Sequence, residues 1–157
     1  MGFRNAFDFT LSYIFSSIFR FCQLALALSV CGLYGVDLSA ARKQGKYSDG
    51  KWIYAEVVGA FAAVTALLYM IPFVMRVPFM FVWDTILFIL WIALFGVFGN
   101  LFIHAHAAGV PGVQRMKNAV WVDLVNALLW LISAIAMGFY WFGQRQKRSQ
   151  FTGRAAV

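Results

Sequence analysis

The sequence predicts an all-α integral membrane protein, a four-transmembrane-helix bundle with both termini on the same side. Hydrophobic residues make up 62% of the 157-residue chain and charged residues only 12%, against roughly 45–50% and 25% in soluble domains. In addition, four apolar segments are each long enough to cross a hydrocarbon core of about 30 Å, which takes about 20 helical residues. Because lipid offers the backbone no hydrogen-bond partners, each segment must be helical.

The four predicted spans are residues 11–36, 52–75, 79–103 and 118–142. A polar loop at 37–51 follows the first span, a tight hairpin at 76–78 follows the second, and a loop at 104–117 follows the third. Pro78 ends the helical pattern before the third span, and we expect Pro72 to bend the second span near its end. Four spans bring both termini to one side of the membrane.

The sequence predicts one compact membrane domain, residues 11–145, with an N-terminal segment at 1–10 and a basic C-terminal tail at 146–157.

The orientation in the membrane is predicted from Lys and Arg residues, which are enriched in cytoplasmic loops. Seven lie on the side of the termini and six on the other side, so this count favours neither orientation. The dense cluster of Arg145, Lys147 and Arg148 directly after the last span favours cytoplasmic termini.

Two charged residues lie inside parallel spans at similar depth. Arg20 follows the start of the first span by several residues, and Asp84 follows the start of the third. Ionisable groups within the membrane are costly and usually face the bundle interior, so the sequence predicts an ion pair between them. Two alternatives remain open. In the first, the Arg20 guanidinium extends to the membrane–water interface. In the second, the two charges form a charge-sensing or lipid-headgroup site.

A second set of polar residues is predicted to form one layer near the opposite face. Glu56 and Asp123 come near the starts of their spans, Asn126 lies one turn after Asp123, and Asn100 is at the end of the third span. Such a layer suits a cation or proton site. It equally suits an interhelical hydrogen-bond clamp, with each acid paired to a loop base such as Arg115, and we favour the clamp.

Small residues predict where helices approach closely. Ala55, Gly59 and Ala63 recur every four residues in the second span, and Gly96 and Gly99 lie in the third. Rows of small residues let membrane helices come into close backbone contact. We expect most of these contacts within the chain, and remaining small-residue stripes are available to join subunits.

Several function classes receive no support. The chain contains no G-x-S-x-G, H-E-x-x-H, C-x-x-C or P-loop motif, so we expect no enzyme and no cofactor. His104 and His106 lack a third ligand of suitable spacing, so we expect no metal site. The net charge of +7 lies beside the membrane, which predicts anionic lipid headgroups rather than nucleic acid as partner. For Cys22, the role of a small apolar helix residue is favoured over palmitoylation.

Three segments resemble fungal MARVEL-domain proteins. They are YAE at 54–56 with YMIP at 69–72, WD at 83–84 with LWIALFG at 90–96, and WVDL at 121–124 with ALLW at 127–130. The resemblance implies a four-helix membrane domain with cytoplasmic termini. It also implies roles in membrane apposition, vesicle trafficking or microdomain organisation, in plasma or secretory-pathway membranes, and it carries no catalytic residues.

The leading hypothesis is therefore a non-enzymatic membrane organiser that selects lipids, including anionic ones, and associates laterally as a homo-oligomer or with other membrane proteins. One alternative is a small ion or proton channel or transporter using the intramembrane carboxylates. Another is an accessory subunit of a larger membrane complex.

Overall fold

The protein consists of four α-helices in the parts of the chain that the computed structural model describes, residues 2–43, 50–71, 80–104 and 111–151. They are α1 (Gly2–Lys43), α2 (Gly50–Tyr69), α3 (Met80–Phe102) and α4 (Pro111–Phe151). Each contains a segment long and apolar enough to cross a membrane, namely Ile14–Ala40, Gly50–Tyr69, Met80–Phe102 and Gly112–Gly143. The predicted all-α four-helix fold and its integral membrane character are confirmed.

Two of the helices extend beyond the apolar spans that predicted them. α1 continues to Lys43 through part of the predicted loop, and α4 begins at Pro111 rather than at residue 118. Hydropathy locates the hydrocarbon layer, whereas a helix satisfies its own backbone in water as well. Proline suits the first helical position, where its missing N–H has no intrahelical partner. Pro72 and the predicted hairpin at 76–78 lie outside the described residues.

The helices alternate in direction, as contacts at the two ends of the bundle show. Near one end, residues close to the starts of the α1 and α3 spans contact the end of α2 and the last third of the α4 span. Near the other end, Tyr34 late in α1 contacts Trp52 at the start of α2 and Phe98 late in α3. Tyr34 also contacts Asp123 in the first half of α4. This is an up–down–up–down bundle.

The bundle is built from two tightly packed helix pairs. α1 packs closely on α2, and α3 on α4; α1 also packs on α4, whereas α2 and α3 meet along few residues. Long aromatic side chains bridge the α2–α3 boundary. The Tyr54 hydroxyl donates to the Leu90 carbonyl at 3.0 Å, and the Trp83 indole donates to Thr65 Oγ1 at 3.1 Å.

Large side chains fill the centre of the bundle. The fully buried ones include Tyr34, Leu87, Trp91, Phe98 and Trp130. The outward faces of the same helices are also apolar and carry exposed Phe, Ile, Leu and Val side chains, as expected of surfaces that face lipid. Polar side chains are therefore the distinctive residues of the interior.

Candidate functional site

The first candidate site is a buried ionic cluster around Asp84 of α3, whose side chain is 0% exposed. The Tyr69 hydroxyl of α2 donates a 2.8 Å hydrogen bond to Asp84 Oδ1, and the Ser133 hydroxyl of α4 donates to Oδ2. Arg20 of α1 places Nη2 3.9 Å from the same Oδ2. One carboxylate thus contacts the three other helices of the bundle.

Arg20 is held in this cluster by further partners. Its Nη1 donates to Gln23 Oε1 at 2.7 Å, and its guanidinium lies 4.4 Å from the centre of the Tyr69 ring. Gln23 in turn places Nε2 3.4 Å from the Leu129 carbonyl of α4. We name Arg20, Gln23, Tyr69, Asp84 and Ser133 the Asp84 cluster.

The structure brings the predicted pair Arg20 and Asp84 together inside the bundle. Arg20 is only 4% exposed, so its head does not extend to the interface. A buried charge is costly without partners, and removing one member of a buried pair typically costs 3–5 kcal/mol. The hydrogen bonds from Tyr69 and Ser133 supply the additional partners that such a pair requires.

The second candidate site surrounds Asp123 of α4, also 0% exposed. The Tyr34 hydroxyl of α1 donates to Asp123 Oδ2 at 2.6 Å. Asn126, one turn along α4, uses Nδ2 to donate to its own helix at the Val122 carbonyl. Asp123 Oδ1 and Asn126 Oδ1 are buried, and neither has a hydrogen-bond partner in the part of the chain that the structure describes.

The predicted polar layer of Glu56, Asn100, Asp123 and Asn126 does not form as a unit. Asp123 and Asn126 lie inside the bundle, whereas Glu56 contacts α1, with Oε1 3.0 Å from where a Cβ on Gly35 would lie. Asn100 is exposed, so its assignment to the layer is wrong. The buried face of α3 passes through Phe98 and Gly99, which turns position 100 outward.

Arg115, which was predicted to pair with an acidic residue of this polar layer, has a different partner. Arg115 Nη2 pairs with Asp37 Oδ1 at the end of α1, rather than with Glu56 or Asp123. Both side chains of this pair are partly exposed, at 31% and 24%. The pair joins α1 to α4 outside the buried core.

An aromatic layer closes the bundle beyond Asp123. The rings of Tyr34 and Trp52 lie 5.8 Å apart, those of Tyr34 and Phe98 4.5 Å, and those of Trp52 and Phe98 5.1 Å. Phe102 extends the layer at 6.2 Å from Trp52 and from Phe98. Tyr34 and Phe98 are fully buried, so bulky rings separate Asp123 from this end of the bundle.

The small residues of α2 lie at a helix interface within the chain. Ala55, Gly59 and Ala63 are buried, and a Cβ on Gly59 would lie 2.6 Å from Cys31 Sγ of α1. Gly99 is likewise buried, with its Cβ position 3.8 Å from Val120 of α4.

Gly96 was also predicted to lie at a close contact between helices, and this prediction is wrong. Gly96 is exposed, and among the described residues no atom lies within 4 Å of its Cβ position. Its side of α3 is turned outward, as is that of Asn100. The side chains of Arg145, Lys147 and Arg148, predicted to contact anionic lipid, lie outside the described part of the chain.

Sequence reasoning missed four polar members of the two sites, namely Gln23, Tyr34, Tyr69 and Ser133. A signal existed for two of them. Gln23 lies one turn after Arg20, and Ser133 continues the helical face that carries Asp123 and Asn126. Tyr34 and Tyr69 resemble interfacial tyrosines in the sequence, and only their contacts distinguish them.

The chemistry available here is hydrogen bonding and charge pairing. Among the described residues, no group of three or more His, Cys, Asp or Glu side chains is placed to hold a metal ion. No protein-family model, no curated protein and no solved structure matches this chain. The geometry of the two sites and of the outer surface therefore carries the functional argument.

Proposed function

We propose that this protein is a non-enzymatic membrane organiser of the MARVEL type, which acts by selecting lipids and associating laterally. The observation that carries the proposal is the contrast between the interior and the surface. The two charges of the Asp84 cluster, Arg20 and Asp84, are paired with each other, and hydrogen bonds tie them to the remaining helices. The outer faces of the spans are instead lined with apolar side chains.

The interior supports a structural rather than a transporting role. Asp84 has three partners from three helices, an arrangement that holds the helices in place. Trp91 and Trp130 lie in the bundle centre with no exposed surface, and the aromatic layer covers Asp123 from one end. A conducting site needs access from both faces and weak enough binding to release its ion.

The surface supports lipid contact as the working interaction. Phe15 is 74% and Phe139 76% exposed, and exposed large apolar side chains occur on all four helices. Aromatic side chains near the span ends include Phe81, Trp141 and Phe142, whose rings lie 5.0–6.5 Å apart. Aromatic side chains at this depth suit the headgroup level.

In the proposed arrangement both termini face the cytoplasm of a plasma or secretory-pathway membrane. Arg145, Lys147 and Arg148 then meet the anionic leaflet, where each basic residue contributes about 1 kcal/mol to lipid attraction. The resemblance to the MARVEL family supports the same orientation. The proposed lateral partners are further copies of this chain or other membrane proteins.

The first experiment measures the mass and lipid content of the protein extracted in native nanodiscs. A homo-oligomer carrying a selected lipid class is the expected result. A monomer surrounded by lipid of bulk composition would contradict the proposal. One stoichiometric foreign protein would instead identify an accessory subunit of a larger complex.

The basic tail gives a sharper prediction. Replacing Arg145, Lys147 and Arg148 with Gln should lower the share of anionic lipid in the nanodiscs, because about 1 kcal/mol of attraction is lost per residue. The control replaces Arg42 and Lys43 with Gln. These two exposed bases lie at the end of α1, at the opposite end of the bundle from the tail. Unchanged lipid composition in the tail variant would refute the role of the tail.

One observation favours the alternative of an ion or proton channel or transporter. Asp123 Oδ1 and Glu56 Oε1 are buried and lack a hydrogen-bond partner among the described residues, although the Cys31 thiol contacts the Glu56 carboxylate. Such unpartnered carboxylate oxygens are available to a cation or a proton. Flux measured in liposomes tests this function. Flux that wild-type protein supports and Glu56→Gln abolishes would establish the alternative, whereas a bilayer that stays tight with wild-type protein agrees with the organiser.

A further inference from the structure

Unpartnered polar atoms are concentrated in the middle of the bundle. Of the seven buried side-chain nitrogen and oxygen atoms without a partner among the described residues, four belong to fully buried side chains. They are Trp91 Nε1 of α3 and, on α4, Asp123 Oδ1, Asn126 Oδ1 and Trp130 Nε1. Native proteins leave few buried polar atoms unsatisfied, so four in one region require an explanation.

The register of α3 against α4 places these atoms near one another. Asp84 contacts Ser133, and Gly99 lies against Val120. Trp91 is about midway between Asp84 and Gly99, so antiparallel packing brings it level with Asn126. Both side chains are fully buried.

The α4 atoms share one helical face. Asp123, Asn126 and Trp130 follow one another at intervals of three and four residues, the spacing that places side chains on one side of a helix. Ser133 continues this face to the Asp84 cluster. The unpartnered atoms of Trp91, Asn126 and Trp130 therefore lie at levels between the two buried carboxylates, Asp84 and Asp123.

The types of atom restrict what binds there. The two indole N–H groups are hydrogen-bond donors, which repel a cation, and the two oxygens are acceptors, which repel an anion. The bound molecule must donate and accept hydrogen bonds at once. The site is also closed to the outside of the bundle, because every side chain of the site is 0% exposed.

We infer that the middle of the bundle is a binding site for internal water, held by Asp123 and Asn126 as acceptors and by Trp91 and Trp130 as donors. Water donates and accepts hydrogen bonds, and a buried water typically makes about three hydrogen bonds to groups that otherwise lack partners. This inference is independent of the proposed lipid-organising function.

X-ray radiolytic footprinting of the full chain in nanodiscs tests the inference. Hydroxyl radicals formed from bound water oxidise the side chains beside it, and mass spectrometry locates the products. Each rate is normalised to the same residue in the unfolded chain, which removes the intrinsic reactivity of Trp. We expect Trp91 to be oxidised severalfold faster than Phe98, although both are fully buried. Equal protection of Trp91 and Phe98 would overturn the inference.

A pair of variants tests the residues that hold the water. Asn126→Leu removes an acceptor and should lower Trp91 oxidation toward the level of Phe98. Asn100→Leu makes the same chemical change at an exposed position of α3 and should leave Trp91 oxidation unchanged. A folded Asn126→Leu protein with wild-type oxidation of Trp91 would contradict the assignment. If that variant fails to fold, the wild-type comparison of Trp91 with Phe98 decides alone.

Discussion

At the scale of single residues, the Asp84 cluster illustrates how a membrane interior tolerates charge. Arg20 and Asp84 are both almost completely buried, and Asp84 accepts hydrogen bonds from Tyr69 and Ser133. Burying an ion pair costs desolvation energy, and its net contribution to stability depends on such additional partners. We expect the cluster to specify which helix faces meet.

The pair yields a prediction from a double-mutant cycle. Asp84→Leu should cost about 3–5 kcal/mol because it leaves Arg20 buried without its counter-ion. Arg20→Met combined with Asp84→Leu should recover part of that loss, since no unpaired charge remains. Denaturant unfolding in mixed micelles measures the free energy of unfolding of the single and the double variants.

The control for this cycle is Asp37→Asn at the partly exposed pair with Arg115, where we expect a cost of about 0–1 kcal/mol. Strictly additive costs of the two single changes at positions 20 and 84 would show that the buried charges are not coupled.

At the scale of helices, close approach between α1 and α2 depends on the absence of a side chain at Gly59. A Cβ there would lie 2.6 Å from Cys31 Sγ and 3.5 Å from the Ala27 carbonyl oxygen. Membrane helices gain little from the hydrophobic effect when they associate, so van der Waals packing at such positions matters more.

Gly59→Leu should therefore destabilise the bundle by about 1–3 kcal/mol or more, the usual cost of overpacking. Gly96→Leu is the matched control, because Gly96 is exposed and has no described atom near its Cβ position. Thermal unfolding in the same detergent compares the two variants. Similar losses of stability in both would mean that helix propensity at glycine sites, rather than packing, sets the cost.

At the scale of the whole molecule, the boundary between α2 and α3 is the loosest part of the bundle. These two helices meet along few residues, and the hydrogen bonds from Tyr54 to Leu90 and from Trp83 to Thr65 bridge them. The tight pairs α1–α2 and α3–α4 are otherwise joined through α1–α4 packing and the Asp84 cluster.

We predict that Tyr54→Phe and Trp83→Phe each cost roughly 0.6–1.5 kcal/mol, the range for hydrogen bonds between membrane helices and within proteins. The two bonds are far apart along α2, so their costs should add within about 0.5 kcal/mol in the double variant. Unfolding free energies of the two single variants and the double variant check this. A strongly non-additive double variant would indicate that the boundary opens as one unit.

Within the candidate sites, the sequence predicts some neighbours correctly and others not. Arg20 and Asp84 were predictable as neighbours because parallel spans place equal depths together. Asn100 was misassigned because depth alone does not say which way a side chain points. Its neighbour Phe98 faces the core, whereas Asn100 faces outward.

The sequence by itself determined that the chain forms four membrane helices, because the length and hydropathy of each apolar segment are local properties. It also showed that Arg20, Asp84 and Asp123 fall within the apolar segments. Only the tertiary structure decided how each helix is rotated about its axis, and hence that Tyr69 and Ser133 bind Asp84 while Tyr34 binds Asp123. The physical reason is that lipid and protein core are equally apolar, so hydrophobic residues on the two faces of a membrane helix do not distinguish inside from outside.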